Sequence, residues 1–339
     1  MRILVMGGTW FLGKAIAETA LARGWDVTTF NRGRSGVDVP GVEAVHGDRT
    51  VQEDLRKLAQ HGPWDAVVDT SSSELPPREV GLATSTLAGH ARRWVHLSTV
   101  SVYEGWPHEP LTEDSPLLRC PADADGSFGY TGEDGSPTKY GFQKAGGERA
   151  VTEAFGDEAV FLRPGVILGP GEYVGRLPWW LERAQRGGRV LAPAPAEQRI
   201  QPVDVRDVAA FAVHLAATPR TGRGAFNVTH PDGISFGDFL AECLRVTGSS
   251  GTPVWVDPAV LTEHGVKQWT EVPLWRTHAG VWAVDSRRAV EAGLRCRPIA
   301  DTVRDTWEWW AGDGRPVNHP RRAEHGIAAE KEARILASL

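Results

Sequence analysis

The sequence predicts an α/β fold, a doubly wound parallel sheet carrying a smaller C-terminal substrate-binding lobe. Three features predict it. Short apolar runs alternate with helical periodicity through the first half of the chain, glycines close the first of these runs, and hydroxyl residues follow the fifth. Strands alternating with helices of this length imply a parallel sheet with helices on both faces.

Each element has its own signal. Arg2 to Met6 is a buried strand closed by Gly7-Gly8, and Phe11 to Arg23 places Phe11, Leu12, Ala15, Ile16 and Thr19 at helical spacing before Gly24 stops it. Trp25 to Asn31 and Val42 to His46 read as the next strands, Val51 to Gln60 as a helix, and Ala66 to Asp69 and Trp94 to Leu97 as two more buried strands. From Tyr103 to Pro137 the pattern breaks into Pro, Gly and acidic residues. A loop this long in a compact domain is a lid or a binding segment. Lys139 to Phe155 is helical again and Ala159 to Arg163 is a sixth strand. After Gly169-Pro170-Gly171 the elements shorten and Trp and Pro increase. The expected division is therefore residues 1–170 as a dinucleotide-binding domain and residues 171–339 as a substrate lobe interleaved with returning sheet elements. Right-handed crossovers put all strand C-termini on one edge, where such sheets bind ligands.

Composition narrows the class. The 339 residues suffice for two domains or one large unit with a lobe, and 41% hydrophobic with 24% charged residues is ordinary for a globular protein. A net charge of −6 without a long basic run argues against nucleic acid or an anionic membrane as partner. Cys120, Cys243 and Cys296 are odd in number and far apart, as expected of reduced thiols. No signal peptide or spanning segment is evident, so a cytoplasmic location is expected. Two excesses stand out, 14 Trp against 4 Tyr and 31 Arg against 6 Lys.

Gly7, Thr9, Trp10, Phe11, Leu12 and Gly13 lie between the first strand and its helix, where backbone amides and the helix dipole suit a pyrophosphate. Glycine there also serves purely steric needs. Gly8-x4-Gly13-Lys14 nearly matches a P-loop, but Ala15 replaces the hydroxyl residue that holds Mg²⁺, which argues against an ATPase. At the end of the second strand stands neutral Asn31, with Arg32 and Arg34 after it. An acidic residue here would bind the ribose 2′-hydroxyl of NAD, whereas arginine suits a 2′-phosphate. NADP(H) is therefore favoured over NAD(H), the alternative being two solvated arginines. Asp48 either accepts from the adenine amino group or caps the following helix.

Tyr140 and Lys144 stand at i and i+4 on one helix face. A free Tyr has a pKa of about 10, and a nearby ammonium favours its phenolate. Ser98, Thr99 and Ser101 follow the fifth strand and would face Tyr140 across the sheet edge.

In that order, these motifs resemble the extended or atypical short-chain dehydrogenase/reductase superfamily, the NAD(P)-dependent sugar epimerases, dehydratases and ketone reductases of Rossmann fold. The resemblance covers nearly the whole chain. It implies Thr99 as the hydroxyl that orients the reacting oxygen, Tyr140 as acid/base, and Lys144 as the residue that holds the nicotinamide ribose and lowers the tyrosine pKa. It assigns Asp69, Thr70 and Ser71, with Ser98, to the cofactor-lining loops, and Pro164, Gly165 and Val166 to the turn beside the nicotinamide. The chain departs from the pattern in three places. Trp10 replaces the middle fingerprint glycine, so its indole either lies flat on the cofactor or points away. Val100-Ser101 replaces the Asp-Glu pair of 4,6-dehydratases, and Val166 replaces the Asn that holds a nucleotide-sugar diphosphate.

On the substrate side Ser101, Trp179, Trp180 and Arg199 are candidates, Trp106 a weaker one. The tryptophans either wall the cleft or pack a lobe core; Arg199 and Arg206 either bind an anion or pair with Asp204 and Asp207. No metal-ligand motif occurs, and His319 and His325 are expected to face solvent. Ala145, Gly146, Gly147 and Ala150 allow close approach of another helix, within the chain or in a homodimer. The function expected is an NAD(P)-dependent oxidoreductase acting on a secondary alcohol or ketone of a small molecule. The alternatives are a nucleotide-sugar epimerase with tightly held NAD, and an RNA-binding or dinucleotide-sensing protein.

Overall fold

The computed structural model describes every residue except Ser35, Asp134, 219–222 and 313–319, so His319 lies outside the described residues. Buried apolar segments form the first strands and helices in the expected order: β1 (Arg2–Met6), α1 (Phe11–Ala22), β2 (Asp26–Asn31), β3 (Glu43–His46), α2 (Gln52–Ala59), β4 (Ala66–Asp69), α3 (Pro77–Leu87), β5 (Trp94–Leu97), α4 (Lys139–Phe155) and β6 (Ala159–Pro164). The lobe and the returning elements follow. They are β7 (Ile167–Leu168), α5 (Arg176–Gln185), β8 (Arg189–Pro193), β9 (Arg199–Ile200), β10 (Val203–Asp204), α6 (Val205–Ala216), β11 (Gly224–Val228), β12 (Ile234–Ser235), α7 (Phe236–Val246), β13 (Thr252–Val256), α8 (Pro258–Glu263), α9 (Arg287–Glu291), α10 (Ile299–Ala311) and α11 (Ala329–Ala337).

Seven strands form one parallel sheet in the order β11-β6-β5-β4-β1-β2-β3. Alternation along the strands sorts side chains to the two faces. Ile3, Val5, Val68, Val95 and Leu162 bury against α1 and α6, while Leu4, Met6, Val67, Trp94 and Phe161 bury against α2, α3 and α4. The helix α3 and the strand β11 were not read from the sequence. The lobe has a separate core around Trp180, Phe236, Phe239 and Trp275. Its last helix is tied down by a buried ion pair, Arg183 Nε to Glu332 Oε1 at 2.8 Å.

The small residues of α4 are consumed internally. A Cβ at Gly146 would strike Pro77 and Cys120 Sγ, one at Gly147 would meet His96 and Val80, and Gly81 lies opposite Ala150. Close packing of α4 on α3 and β5 is thus the use this structure makes of them.

Candidate active site

The strand C-termini gather the site on one edge. Gly7 and Gly8 take φ of 108° and 106°, conformations open to glycine, and Gly7 N–H donates to Phe30 O at 2.8 Å. A Cβ on Gly13 would lie 2.7 Å from Gly8 N and 2.8 Å from Thr70 Oγ1, so the helix meets the strand only because that Cβ is missing. The N-terminus of α1 has no side-chain cap and no acidic residue in its first turn. Among the described residues no side chain caps its amides, and the residues present fit a dinucleotide pyrophosphate. Thr9 is buried at the turn. The Trp10 ring packs against Tyr173, ring centroids 5.4 Å apart, and Phe11 meets the same ring edge-on at 6.1 Å. Tyr173 was not singled out in the sequence.

At the end of β2, Asn31 spends its side chain locally. Its Oδ1 accepts from Gly33 N–H at 2.7 Å and its Nδ2 donates to Asp38 Oδ1 at 3.0 Å. Arg32 and Arg34 are exposed, and both act electrostatically on Asp48. Asp48 itself closes a local turn, its Oδ1 accepting from Thr50 N–H at 2.9 Å, and does not cap α2, whose N-cap is Val51. Asp69, at the end of β4, has its carboxylate fully buried on the Arg49 guanidinium at 2.6 and 3.0 Å, so only its backbone is left to line a cofactor. Ser71 hydroxyl receives Arg49 Nη1 at 2.7 Å, and Thr70 hydroxyl donates to Met6 O.

The catalytic candidates lie where β5 and α4 meet. Thr99 ends the strand and caps a short 3₁₀ turn, accepting from Ser101 N–H at 3.2 Å, and Thr138 caps α4. Gly141 lies directly beneath the Ser101 carbonyl, which is what lets α4 approach. Tyr140 is 40% exposed as a residue, and Thr99, Tyr173, Arg176 and Arg321 are near enough to act on its phenol. Burial pushes the Tyr140 phenol up to about 12, against the opposing pull of Arg321, Thr99 and Arg176. Lys144 is not among the largest influences on it. The Lys144 ammonium is buried, donating to Leu97 O at 2.6 Å and Ser72 Oγ at 3.1 Å, and burial brings it down to about 8. The i, i+4 pair is present, but its ammonium faces the sheet edge. Ser98 is buried, and its Oγ has no partner.

Glu148 continues the stripe at i+8. It accepts from Arg163 Nε at 2.9 Å and Nη2 at 2.5 Å, and Arg163 Nη1 donates to Tyr103 Oη, whose proton goes to Asn227 Oδ1 at 2.7 Å. This buried chain pins α4 to β6 and β11. Its signal was the same helical spacing, overlooked because a helix glutamate is ordinarily solvated.

The remaining candidates divide. Gly165 sits under Thr229, and Val166 packs in the lobe core, with Pro164 at the end of β6. Trp180 is corrected to a core role, fully buried with its indole N–H on Pro273 O at 2.9 Å. Trp179 lines a shallow depression with Glu182, His325 and Gly326. Arg199 donates to the Asp232 carbonyl, and Arg206 pairs with Asp204 and Asp305, the self-pairing alternative. His325 is half-buried, not solvent-facing, with Nδ1 2.7 Å from Arg321 O. Among the described residues no group of His, Cys, Asp or Glu is arranged to hold a metal, and no helix is long and apolar enough to cross a membrane.

Sheet order and the glycine turn define a protein of the Rossmann-type α/β class. The chain belongs to the NAD dependent epimerase/dehydratase family, whose model matches residues 3–229. It is similar to the bovine (Bos taurus) sterol-4-alpha-carboxylate 3-dehydrogenase, decarboxylating, 28% identical over 72% of this chain and 69% of that protein. It is 23% identical to the Arabidopsis thaliana chloroplast stem-loop binding protein of 41 kDa b, over 73% of this chain and 63% of that one. The Bordetella bronchiseptica enzyme WbmH, solved with NAD+, superposes with a TM-score of 0.70 at 18% identity, over 93% of this chain and 99% of that one.

Proposed function

We propose that the protein is an NADP(H)-dependent reductase that interconverts a ketone and a secondary alcohol on a small molecule. The observation that supports this most is the Thr99 hydroxyl near the Tyr140 phenol, with Tyr173 acting on that phenol while its ring packs on Trp10 and Phe11 of the glycine turn. A bound nicotinamide would supply or accept the hydride. Gly7 and the amides of Thr9 to Gly13 would hold the pyrophosphate, and Lys144, with Ser98, would lie toward the ribose. Thr99 orients the substrate oxygen. Tyr140 gives that oxygen its proton, and a phenol held near 12 is protonated at neutral pH, which suits it to the reductive direction.

Arg32 and Arg34, exposed beside a side chain that Asn31 has already committed, support the 2′-phosphate. Each charge-assisted contact to phosphate contributes about 1.5–3 kcal/mol. The double variant Arg32→Ala/Arg34→Ala is therefore expected to weaken NADPH by about tenfold or more and to leave NADH within about twofold. Fluorescence titration of both cofactors checks it. Equal losses for the two would remove the phosphate assignment, and binding of neither below millimolar would remove the reductase reading. Protein that purifies with stoichiometric NAD would instead favour the epimerase.

A further inference from the structure

One buried cation within electrostatic reach of Tyr140 makes no side-chain hydrogen bond among the described residues. Arg176 opens α5 after Gly175, and its side chain is 12% exposed. Its guanidinium makes no hydrogen bond to any described residue, and its Nε is buried with none. The nearest acid, Glu172, stands 3.9 Å from Nη1, and its oxygens already accept the backbone N–H groups of Arg176 at 2.9 Å and Leu177 at 3.1 Å. A guanidinium carries five donors and holds its charge at any ordinary pH, so leaving it buried and unbonded is costly. Such a group implies a partner from outside the chain.

Its surroundings are built for one. The guanidinium lies over the Trp269 ring at 5.4 Å, and Arg276 lies over Trp269 at 4.7 Å and over Trp106 at 4.9 Å. Trp269 itself is held in the left-handed region, φ 71°, by a hydrogen bond from its N–H to Trp275 O at 3.0 Å, and Leu274 in the same loop has φ 69°. Two bulky residues in that region are strained, and such strain collects at ligand clamps. Arg176 also acts electrostatically on Tyr140 and Tyr173, so the guanidinium lies within electrostatic reach of the proposed acid/base.

We propose that Arg176 holds a carboxylate of the substrate, with the Trp269 face beside it, making the protein a reductase of small oxo acids with a flat or apolar body. Glu172 next to the guanidinium favours a single negative charge over a dianionic phosphate. This rests on the hydride-transfer reading for the substrate's ketone, though the anion site stands apart from it.

The test is calorimetric binding of benzoylacetate and its neutral methyl ester, with and without NADP⁺, to the wild type, Arg176→Met and Arg176→Lys. The acid is expected to bind the wild type about tenfold or more tightly than the ester. Arg176→Met should level the two, Arg176→Lys should restore part of the preference, and the unfolding midpoint of ligand-free Arg176→Met should be no lower than the wild type's. Equal binding of acid and ester by the wild type, no acid binding at millimolar concentration, or a preference that survives Arg176→Met overturns the assignment. So does tighter binding of phenyl phosphate than of benzoate. Acid binding that persists while NADPH fails to bind would keep the anion site and remove the reductase reading.

Discussion

Tyr140→Phe is expected to lower turnover by about 10²–10⁴-fold, the range over which a positioned acid acts, while NADPH affinity stays within about twofold. The ring keeps its place on α4, because Thr138 caps that helix through Gly141 N–H at 2.9 Å and Gly141 packs beneath Ser101. Only the hydroxyl leaves, and with it the proton that the new alkoxide requires. The loss should fall on kcat more than on KM, since the phenol acts where charge develops on the substrate oxygen. Steady-state kinetics beside a cofactor titration read both quantities. A variant with turnover within about tenfold of the wild type would assign the proton to another group.

Glu148→Ala is expected to destabilise the fold by about 3–5 kcal/mol, the cost of leaving one member of a buried ion pair alone. Both partners are nearly inaccessible, and Glu148 contributes both oxygens to Arg163. Burial works to lower the Arg163 pKa, but Glu148 more than offsets it, so the guanidinium stays charged and cannot escape by losing its proton. With Glu148 gone, its partners are the Tyr103 hydroxyl and the Tyr103 ring, 5.0 Å from the guanidinium carbon. Urea unfolding of the purified variant measures the loss. A change below about 1 kcal/mol would show that water or a rearranged neighbour replaces the carboxylate. Because the pair fixes α4 to β6, a surviving fraction of folded Glu148→Ala should also turn over slowly, through Tyr140 and Lys144 losing their register.

Much of this architecture was legible because its signals are local. β1, β4, β5 and α4 lie where apolar runs and periodicity put them, and Gly7, Gly8 and Gly13 take the conformations and contacts that only glycine permits. Pairings across long sequence separations were not legible. Nothing near Asp69 in the chain announces that Arg49 will bury its carboxylate, and Trp179-Trp180 gives no sign of which indole faces the core. The segment at 320–327 reads as a polar tail, yet folding brings Arg321 within electrostatic reach of Tyr140 and sets His325 beside Trp179. Lys144 was found by spacing, but its direction, onto Leu97 O, depends on where β5 ends. The Arg excess hid Arg176 for a related reason. Among so many arginines the informative one is buried yet makes no side-chain hydrogen bond to a described residue, which only coordinates reveal.

The central claim is that hydride passes between a nicotinamide and a substrate carbon while Tyr140 moves the proton. Turnover of an oxo acid with NADPH deuterated at C4, followed by mass spectrometry of the product, tests it most directly. The account predicts one deuterium at the new carbinol carbon, from one face of the nicotinamide only, and almost no labelled product from Tyr140→Phe. Turnover that leaves the carbinol unlabelled, or that proceeds undiminished without the Tyr140 hydroxyl, would contradict it.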